Sequence, residues 1–284
     1  MSVAGEREIL KRIGSWINHD YLESPWHNAW RGSLIVKTGA ILSALPEPPA
    51  KVLDAGCGSG YLCSFLSRSG YSVAGFDVCQ DALGLIRRRK DYTGWPLFEH
   101  DWEKQFPSSP YQAIVFNDAF HHCMNKSVVL RNVYDALMED GIAVFVEPGV
   151  GHARSARSHA QQFDVTETDT PPYQIVRLGR RVGFKAWRVF PHPETFSKSL
   201  YGPKGMLTHH PLVNFLCRFG GTLGILLIAA KWFHGMTVLS RSGRWPTHVN
   251  PIDKLHNAGS ESKSSGGRPE DARNSIASKE PVLK

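Results

Sequence analysis

A glycine-rich turn stands where a short apolar run ends in an acidic residue. Residues 52–54 are followed by glycines at positions 56, 58 and 60, and an amphipathic pattern opens at Tyr61. This order predicts a buried strand, a tight turn and a helix. Glycine suits such a turn because the backbone angles are unusual and a ligand can approach main chain that lacks a Cβ. The spacing differs from the dinucleotide fingerprint, whose third glycine comes later, so a nicotinamide oxidoreductase is disfavoured.

An acidic residue closes the next predicted strand. Asp77 ends the apolar run 73–76, about twenty residues beyond the glycine turn, where a carboxylate can accept the hydroxyl hydrogens of a ribose. Val78 follows it and is a candidate to pack against the base. Several kinds of nucleoside site use this device. Asp77 therefore predicts a bound nucleoside without choosing which one.

More polar residues follow the fourth predicted strand, at Asn117, Asp118, His121 and His122. Ligands of open α/β sheets lie beyond the carboxyl ends of the strands, so these side chains are expected to face the same crevice. Adjacent histidines raise the question of a metal. No third ligand with a recognisable spacing accompanies them, and we therefore expect none.

Seven strands and the helices between them must position these residues. Short apolar strands that alternate with amphipathic helices predict a mostly parallel sheet covered on both faces. The strands are expected at 51–54, 72–77, 97–99, 113–117, 142–146, 185–190 and 237–240. The helices are expected at 61–69, 81–89, 127–138, 155–163 and from 170 to about 183.

The chain divides into three predicted parts. Residues 1–50 form a helical N-terminal cap, in which Trp16, Tyr21, Trp26 and Trp30 either pack in the core or cover a ligand. Residues 51–241 form the main domain, with insertions on the substrate side at 147–236. Residues 242–284 are rich in Ser, Gly, Asn, Pro and mixed charge, which predicts a disordered tail.

These motifs together resemble those of class I S-adenosylmethionine-dependent methyltransferases. The run Asp-x-Gly-x-Gly-x-Gly is similar to the first motif of that family, and "DAFHH" and "LMEDG" before an apolar strand are similar to its fourth and fifth motifs. The matches cover residues 51–146. They imply a Rossmann-like α/β fold with a seven-stranded, mostly parallel sheet flanked by helices, and S-adenosyl-L-methionine as cofactor.

The resemblance also implies the residues that bind the cofactor. Asp101 would receive the adenine amino hydrogen and Trp102 would lie against the ring; the alternative is a loop-capping aspartate beside a tryptophan that shields the surface. The implied binding residues are Asp54, Gly56, Cys57, Gly58, Gly60, Asp77, Val78, Asp101, Trp102 and Asn117.

A finer resemblance concerns the acceptor. Residues 147–184 look like the corresponding part of bacterial methyltransferases encoded in polysaccharide-biosynthesis clusters, which implies O-methylation of a sugar in a glycan or in a lipid- or nucleotide-linked saccharide. The Phe-x-Val-x-Glu segment at 163–167 matches, but the turn Gly151-His152-Ala153 lacks the usual hydroxyl. A small metabolite or a lipid headgroup is the alternative acceptor. A cofactor-binding partner subunit without catalysis is a further alternative.

Methyl transfer to a hydroxyl needs a group that removes its proton. The candidates near the strand ends are Asp118, His121, His122, Glu147 and His152. An imidazole titrates near working pH, so His122 is the first choice for this base and His152 the second. The alternative for the histidine pair is a packing or backbone-bonding role at the start of a helix.

Composition limits the compartment and the partners. The 284 residues carry a net charge of +7, and part of it lies beyond residue 240, so no nucleic-acid arm is predicted. The five cysteines form no C-x-x-C pair and no secretory signal opens the chain, which predicts the cytoplasm. The apolar segment 212–233 is interrupted by Arg218, so we expect it to be buried, with peripheral membrane contact as the alternative. Oligomeric state is left open.

Overall fold

The computed structural model describes residues 28–108, 110–193 and 231–246, together with Glu8. Within these ranges the helices are α1 (Asn28–Ala44), α2 (Tyr61–Arg68), α3 (Gln80–Arg87), α4 (Lys126–Ala136), α5 (His152–Ser155), α6 (Arg157–Phe163) and α7 (Pro172–Val182). The strands are β1 (Lys51–Ala55), β2 (Ser72–Asp77), β3 (Leu97–Glu99), β4 (Tyr111–Asn117), β5 (Leu137–Val146), β6 (Ala186–Pro191) and β7 (Gly235–Ser240). A short 3-10 turn covers Phe120–His122.

The strands form one seven-stranded sheet in the order β3-β2-β1-β4-β5-β7-β6. The first five strands of the chain pair in parallel, and β7 runs antiparallel to both of its neighbours. Strand β1 therefore lies between β2 and β4. The chain reverses its direction across the sheet at β1, and such a switch point is where open α/β sheets bind ligands.

Both faces of the sheet are covered at its centre because the central strands are apolar on both sides. In β1, Val52 packs with α1, α2 and α3 on one face, while Leu53 joins the core beneath α4 and α7 on the other. Helix α7 approaches the sheet closely at Gly179, where an added Cβ would lie 2.6 Å from Leu239 Cδ1. This packing holds the carboxyl ends of β1, β2, β4 and β5 side by side.

The predicted fold class is confirmed, and the seven strands occur within a few residues of their expected positions. Strand β5 begins earlier than expected, at Leu137, because that residue pairs with Tyr111 across an irregularity in the register. The helix expected at 155–163 is instead two short helices that meet at Ala156.

Several predictions concern residues outside the described ranges. They include the N-terminal aromatic side chains, most of the apolar segment 212–233 and the tail beyond residue 246. Among the helices of the described ranges, none is long and apolar enough to cross a membrane.

Candidate active site

The glycine turn between β1 and α2 has the backbone that its sequence predicts. Gly56, Gly58 and Gly60 take φ values of 78°, 48° and 72°, in the left-handed region that favours glycine. A Cβ on Gly56 would lie 2.6 Å from Ala119 Cβ, whereas nothing lies within 4 Å of a Cβ built on Gly58. One side of the turn is thus closed by the loop after β4, and the turn is open at Gly58.

Asp77 ties the glycine turn to the end of β2. Its Oδ2 accepts the Gly58 N–H at 3.0 Å and its Oδ1 accepts the Cys79 N–H at 2.9 Å. Burial raises the pKa of this carboxyl, and the backbone hydrogen bonds act in the opposite direction. Each carboxylate oxygen can accept more than one hydrogen bond, so acceptor capacity remains for the hydroxyls of a ligand.

Asp54 and Cys57 lie on the buried side of the turn. Asp54 is 2% exposed, and its Oδ2 accepts from Cys63 Sγ at 3.3 Å. Burial raises the pKa of Asp54 to about 7 because the charged form is poorly solvated there. The Asp54 carboxyl therefore titrates near neutral pH.

Asn117 and Asp118 stand where β4 ends. Asn117 Nδ2 donates to the Tyr61 hydroxyl at 2.5 Å, and its buried Oδ1 has no hydrogen-bond partner within the described structure. Asp118 takes a φ of 54°, which is unusual for a residue other than glycine. Its carboxylate is 45% exposed and lies 2.5 Å from the nearly buried Nζ of Lys37, a residue of α1. Burial opposes ionisation, but Lys37 outweighs it and lowers the pKa of Asp118.

The residues expected around an adenine ring are divided between surface and core. Val78 is half-buried next to Asp77. Asp101 is exposed, and its Oδ1 accepts the Glu103 N–H at 2.9 Å, as a loop cap does. Trp102 is 4% exposed and lies beneath Gly56, so its ring already packs in the core.

Glu147 shapes the loop that carries the histidines. It is fully buried at the end of β5, and it accepts the backbone N–H groups of Ala119, Phe120 and His121 at 2.8–3.2 Å. Its Oε2 also lies 2.8 Å from His121 Nδ1. A carboxylate engaged in this way holds the loop and one imidazole in place and is not free to take a proton from a substrate.

A second carboxylate, Glu167, gathers three histidines. Its Oε2 lies 3.3 Å from His121 Nε2 and 2.7 Å from His152 Nε2, and its Oε1 lies 3.8 Å from His159 Nε2. Burial disfavours the charged His121 ring, but its hydrogen bonds to Glu147 and Glu167 outweigh burial and raise the pKa to about 9. Burial also opposes ionisation of Glu167, yet the histidine hydrogen bonds lower its pKa.

His122 is held in the neutral state beside this cluster. Its ring centroid is 3.9 Å from that of His121, and its Nδ1 lies 2.5 Å from the carbonyl oxygen of Thr166. A carbonyl oxygen can only accept, so Nδ1 carries the hydrogen and the other ring nitrogen, Nε2, keeps its lone pair. Burial, and then the neighbouring His121, lower the pKa of His122.

The structure joins residues that are far apart in the sequence. Neither Glu167 nor Lys37 was predicted from the sequence to belong to the site. Lys37 lies within the helical pattern of α1 and has no sequence feature that distinguishes it from a surface lysine. Glu167 offers a hint in the sequence, since it closes the Phe-x-Val-x-Glu segment at 163–167. Its position beside His121 and His122 also supplies the third potential metal ligand that spacing alone did not reveal.

The strand order and the site at the carboxyl ends of β1, β2 and β4 define a Rossmann-like domain with the topology of the methyltransferases. A family model described as a methyltransferase domain matches residues 28–195, which is more than half of the chain. The chain therefore belongs to this methyltransferase family.

The relatives in the comparisons agree at the level of the fold. A malonyl-[acyl-carrier protein] O-methyltransferase of Bacillus cereus is 27% identical over 112 residues, which are 39% of this chain and 41% of that protein. A phosphoethanolamine N-methyltransferase of Haemonchus contortus, solved with S-adenosylhomocysteine, has a TM-score of 0.58 at 17% identity, over 86% of this chain and 61% of the other. The cyclase SpnF has a TM-score of 0.53 at 12% identity, over 86% and 98%.

The similarity to the first two of these relatives covers only part of their length. This chain spans less than half of the length of the B. cereus protein and about three fifths of the H. contortus protein. Neither those two proteins nor the cyclase supports the expected resemblance to polysaccharide methyltransferases. The cyclase also illustrates that this fold hosts more than one chemistry.

Proposed function

We propose that this protein is an S-adenosylmethionine-dependent methyltransferase that methylates a hydroxyl oxygen of a small acceptor. The observation that carries the proposal is a single juxtaposition. An open glycine turn secured by Asp77 adjoins the loop that presents the neutral imidazole of His122. In this proposal the element that binds the nucleoside and the base would share one edge of the sheet.

The residues present suit S-adenosylmethionine. The open position at Gly58 leaves room for a ligand against the main chain, and Asp77 is a suitable acceptor for ribose hydroxyls. The buried Oδ1 of Asn117 has no hydrogen-bond partner among the described residues, and a ligand donor would satisfy it. When bound, the cofactor supplies an electrophilic methyl group on a positively charged sulfur. Asp77, Asn117 and the turn would hold it at the end of β1.

His122 would take the proton from the acceptor hydroxyl. The Thr166 carbonyl fixes the tautomer and the ring orientation, and burial together with the neighbouring His121 lowers the pKa of His122, which favours the neutral ring with its lone pair on Nε2. His152 is the second candidate for the base, although Glu167 already engages its Nε2. Asp118 is engaged by Lys37, which suits it better to orient a donor than to remove a proton.

For the acceptor we propose a sugar hydroxyl, on the strength of the sequence resemblance at residues 147–184. The B. cereus relative is by its name an O-methyltransferase, which agrees with transfer to oxygen. A small metabolite or a lipid headgroup is the competing acceptor, and the H. contortus neighbour, by its name, acts on phosphoethanolamine. We propose no nucleic-acid partner; the cytoplasmic location stays a prediction, with peripheral contact at the inner face of the membrane as its alternative.

Two measurements test this function. Calorimetric titration with S-adenosylhomocysteine and with NAD separates the cofactors; binding of NAD alone would refute the assignment. Transfer of a labelled methyl group to nucleotide sugars, glycolipids, phosphoethanolamine and simple alcohols then identifies the acceptor class. Label in the sugar-containing acceptors supports the proposal, and label in an amine or in no acceptor favours the N-methyltransferase or the non-catalytic alternative.

A further inference from the structure

The side chains around Glu167 have a second use that does not depend on methyl transfer. We propose that His121, His122 and Glu167 form a binding site for one divalent transition-metal ion, such as Zn²⁺. These three side chains come from the turn after β4 and from the segment before α7, so only the tertiary structure brings them together.

The distances suit a metal centre. One ligand atom from each of the three residues lies within 4.8 Å of the others, and His121 Nε2 is 3.3 Å from Glu167 Oε2. Ligand bonds of about 2.0–2.2 Å in tetrahedral geometry place neighbouring ligand atoms about 3.3–3.5 Å apart. The His121–Glu167 pair already has this separation, and a small movement of His122 would complete three ligands. The ion would take the place of the proton that His121 Nε2 shares with Glu167, and that proton would be released to the solvent.

The hydrogen bonds behind the two histidines are those that metal-binding imidazoles make. A ligating histidine donates its other ring N–H to a carboxylate or a backbone carbonyl, which fixes the tautomer and directs the free nitrogen. His121 Nδ1 has the buried Glu147 carboxylate at 2.8 Å, and His122 Nδ1 has the Thr166 carbonyl at 2.5 Å. Since Glu147 is itself held by three backbone N–H groups, the outer partners of both ligands are in place.

The charges at this position favour a cation. The side chains of Glu147 and Glu167 are 0% and 6% exposed, so two carboxylates share a poorly solvated region. A divalent ion would balance both of them. Two imidazoles and one carboxylate suit Zn²⁺, Co²⁺, Ni²⁺ or Fe²⁺ better than Mg²⁺ or Ca²⁺, which prefer oxygen ligands. His152, 2.7 Å from the same oxygen of Glu167, or a water molecule is available as a fourth ligand.

Metal binding and proton abstraction compete for His122, because a neutral imidazole has one basic lone pair. If His122 is the base proposed above, Zn²⁺ should therefore inhibit methyl transfer. This consequence rests on the proposed function, whereas binding of the ion does not.

The test uses the full-length protein after dialysis against a chelator. Co²⁺ is added while its visible absorption is recorded, and Zn²⁺ is then titrated calorimetrically. The variants are Glu167→Gln and His122→Gln, and the exposed His234 supplies the matched control His234→Gln. Circular dichroism establishes that each variant is folded, and titration with S-adenosylhomocysteine reports separately on the cofactor site.

We expect one tight equivalent of metal with the intense absorption of low-coordinate Co²⁺, unchanged in His234→Gln. Each ligand variant should bind at least about 10-fold more weakly, because loss of even an outer partner costs that much. The His122 variant keeps the test decisive if Glu167→Gln does not fold, since His122 is only half-buried. Equal affinity and equal spectra in wild type, His122→Gln and His234→Gln would refute the metal site. The cluster would then be a set of hydrogen-bonded histidines and carboxylates without a metal function.

Discussion

Asp54→Asn should flatten the pH dependence of folding stability. The carboxyl is 2% exposed, and burial raises its pKa from 3.8 to about 7. Between these two values the unfolded chain has released the proton that the folded protein keeps. The free energy of unfolding of the wild type therefore falls as the pH rises through that window, while the amide of the variant does not titrate.

The size of the effect follows from the shift. Each pH unit within the window changes the free energy of unfolding by about 1.4 kcal/mol. Between about pH 5 and pH 7 the wild type should thus lose about 2 kcal/mol relative to the variant, because the slope decreases as the pH approaches the pKa of the folded state. Well above pH 7 Asp54 is ionised in both states, and the two stability curves should run parallel.

Urea unfolding at several pH values measures this difference directly. Titrating groups that do not interact with Asp54, His121 among them, are present in both proteins and cancel in the comparison. Asp135→Asn, at an exposed position on α4, is the control for loss of a carboxylate. If the difference between wild type and Asp54→Asn stayed constant from about pH 5 to pH 8, the inferred protonation of the buried Asp54 would be wrong.

Four further substitutions test the site. Gly56→Ala should destabilise the fold by about 1–3 kcal/mol in urea unfolding, because its Cβ would lie 2.6 Å from a neighbouring side chain. Gly58→Ala has open space around it, so it should mainly weaken the binding of S-adenosylhomocysteine, measured by calorimetry. A larger loss of stability in Gly58→Ala than in Gly56→Ala would contradict this geometry. Asp77→Ala should weaken that binding by about 1–3 kcal/mol; unchanged affinity would remove its ribose role. His122→Gln should slow methyl transfer about 10²–10⁴-fold while the cofactor affinity is unchanged. Near-normal turnover, which is expected for the control His234→Gln, would show that His122 is not the base.

Local patterns were enough to predict the sheet. Each strand is a short apolar run bounded by turn residues, and the helices between them have clear amphipathic spacing, so the elements follow from nearby residues. The glycine turn was equally local, since its backbone angles depend on three glycines at alternate positions. The boundary of β5 was less predictable because Leu137 pairs across an irregularity with Tyr111, a distant residue.

The nature of the side chains at the site followed from the sequence in part. His121 and His122 were identified because they come directly after a strand, and Asp77 because it ends one. Their protonation states and hydrogen-bond partners could not be predicted from their positions in the chain. Glu147 was a candidate base, and the structure shows that it accepts three backbone N–H groups. Trp102 stays a candidate to lie against a ligand, and its burial beneath Gly56 was not predictable from the sequence.

The amino-acid sequence alone determined which segments form strands, the glycine turn and the carboxylate at the end of β2, because these features depend on residues that are close together in the chain. The protonation of Asp54, the tautomer of His122 and the arrangement of histidines around Glu167 were set by the packed molecule. Burial and hydrogen bonds between residues more than forty positions apart control those states. Such contacts exist only once the chain is folded.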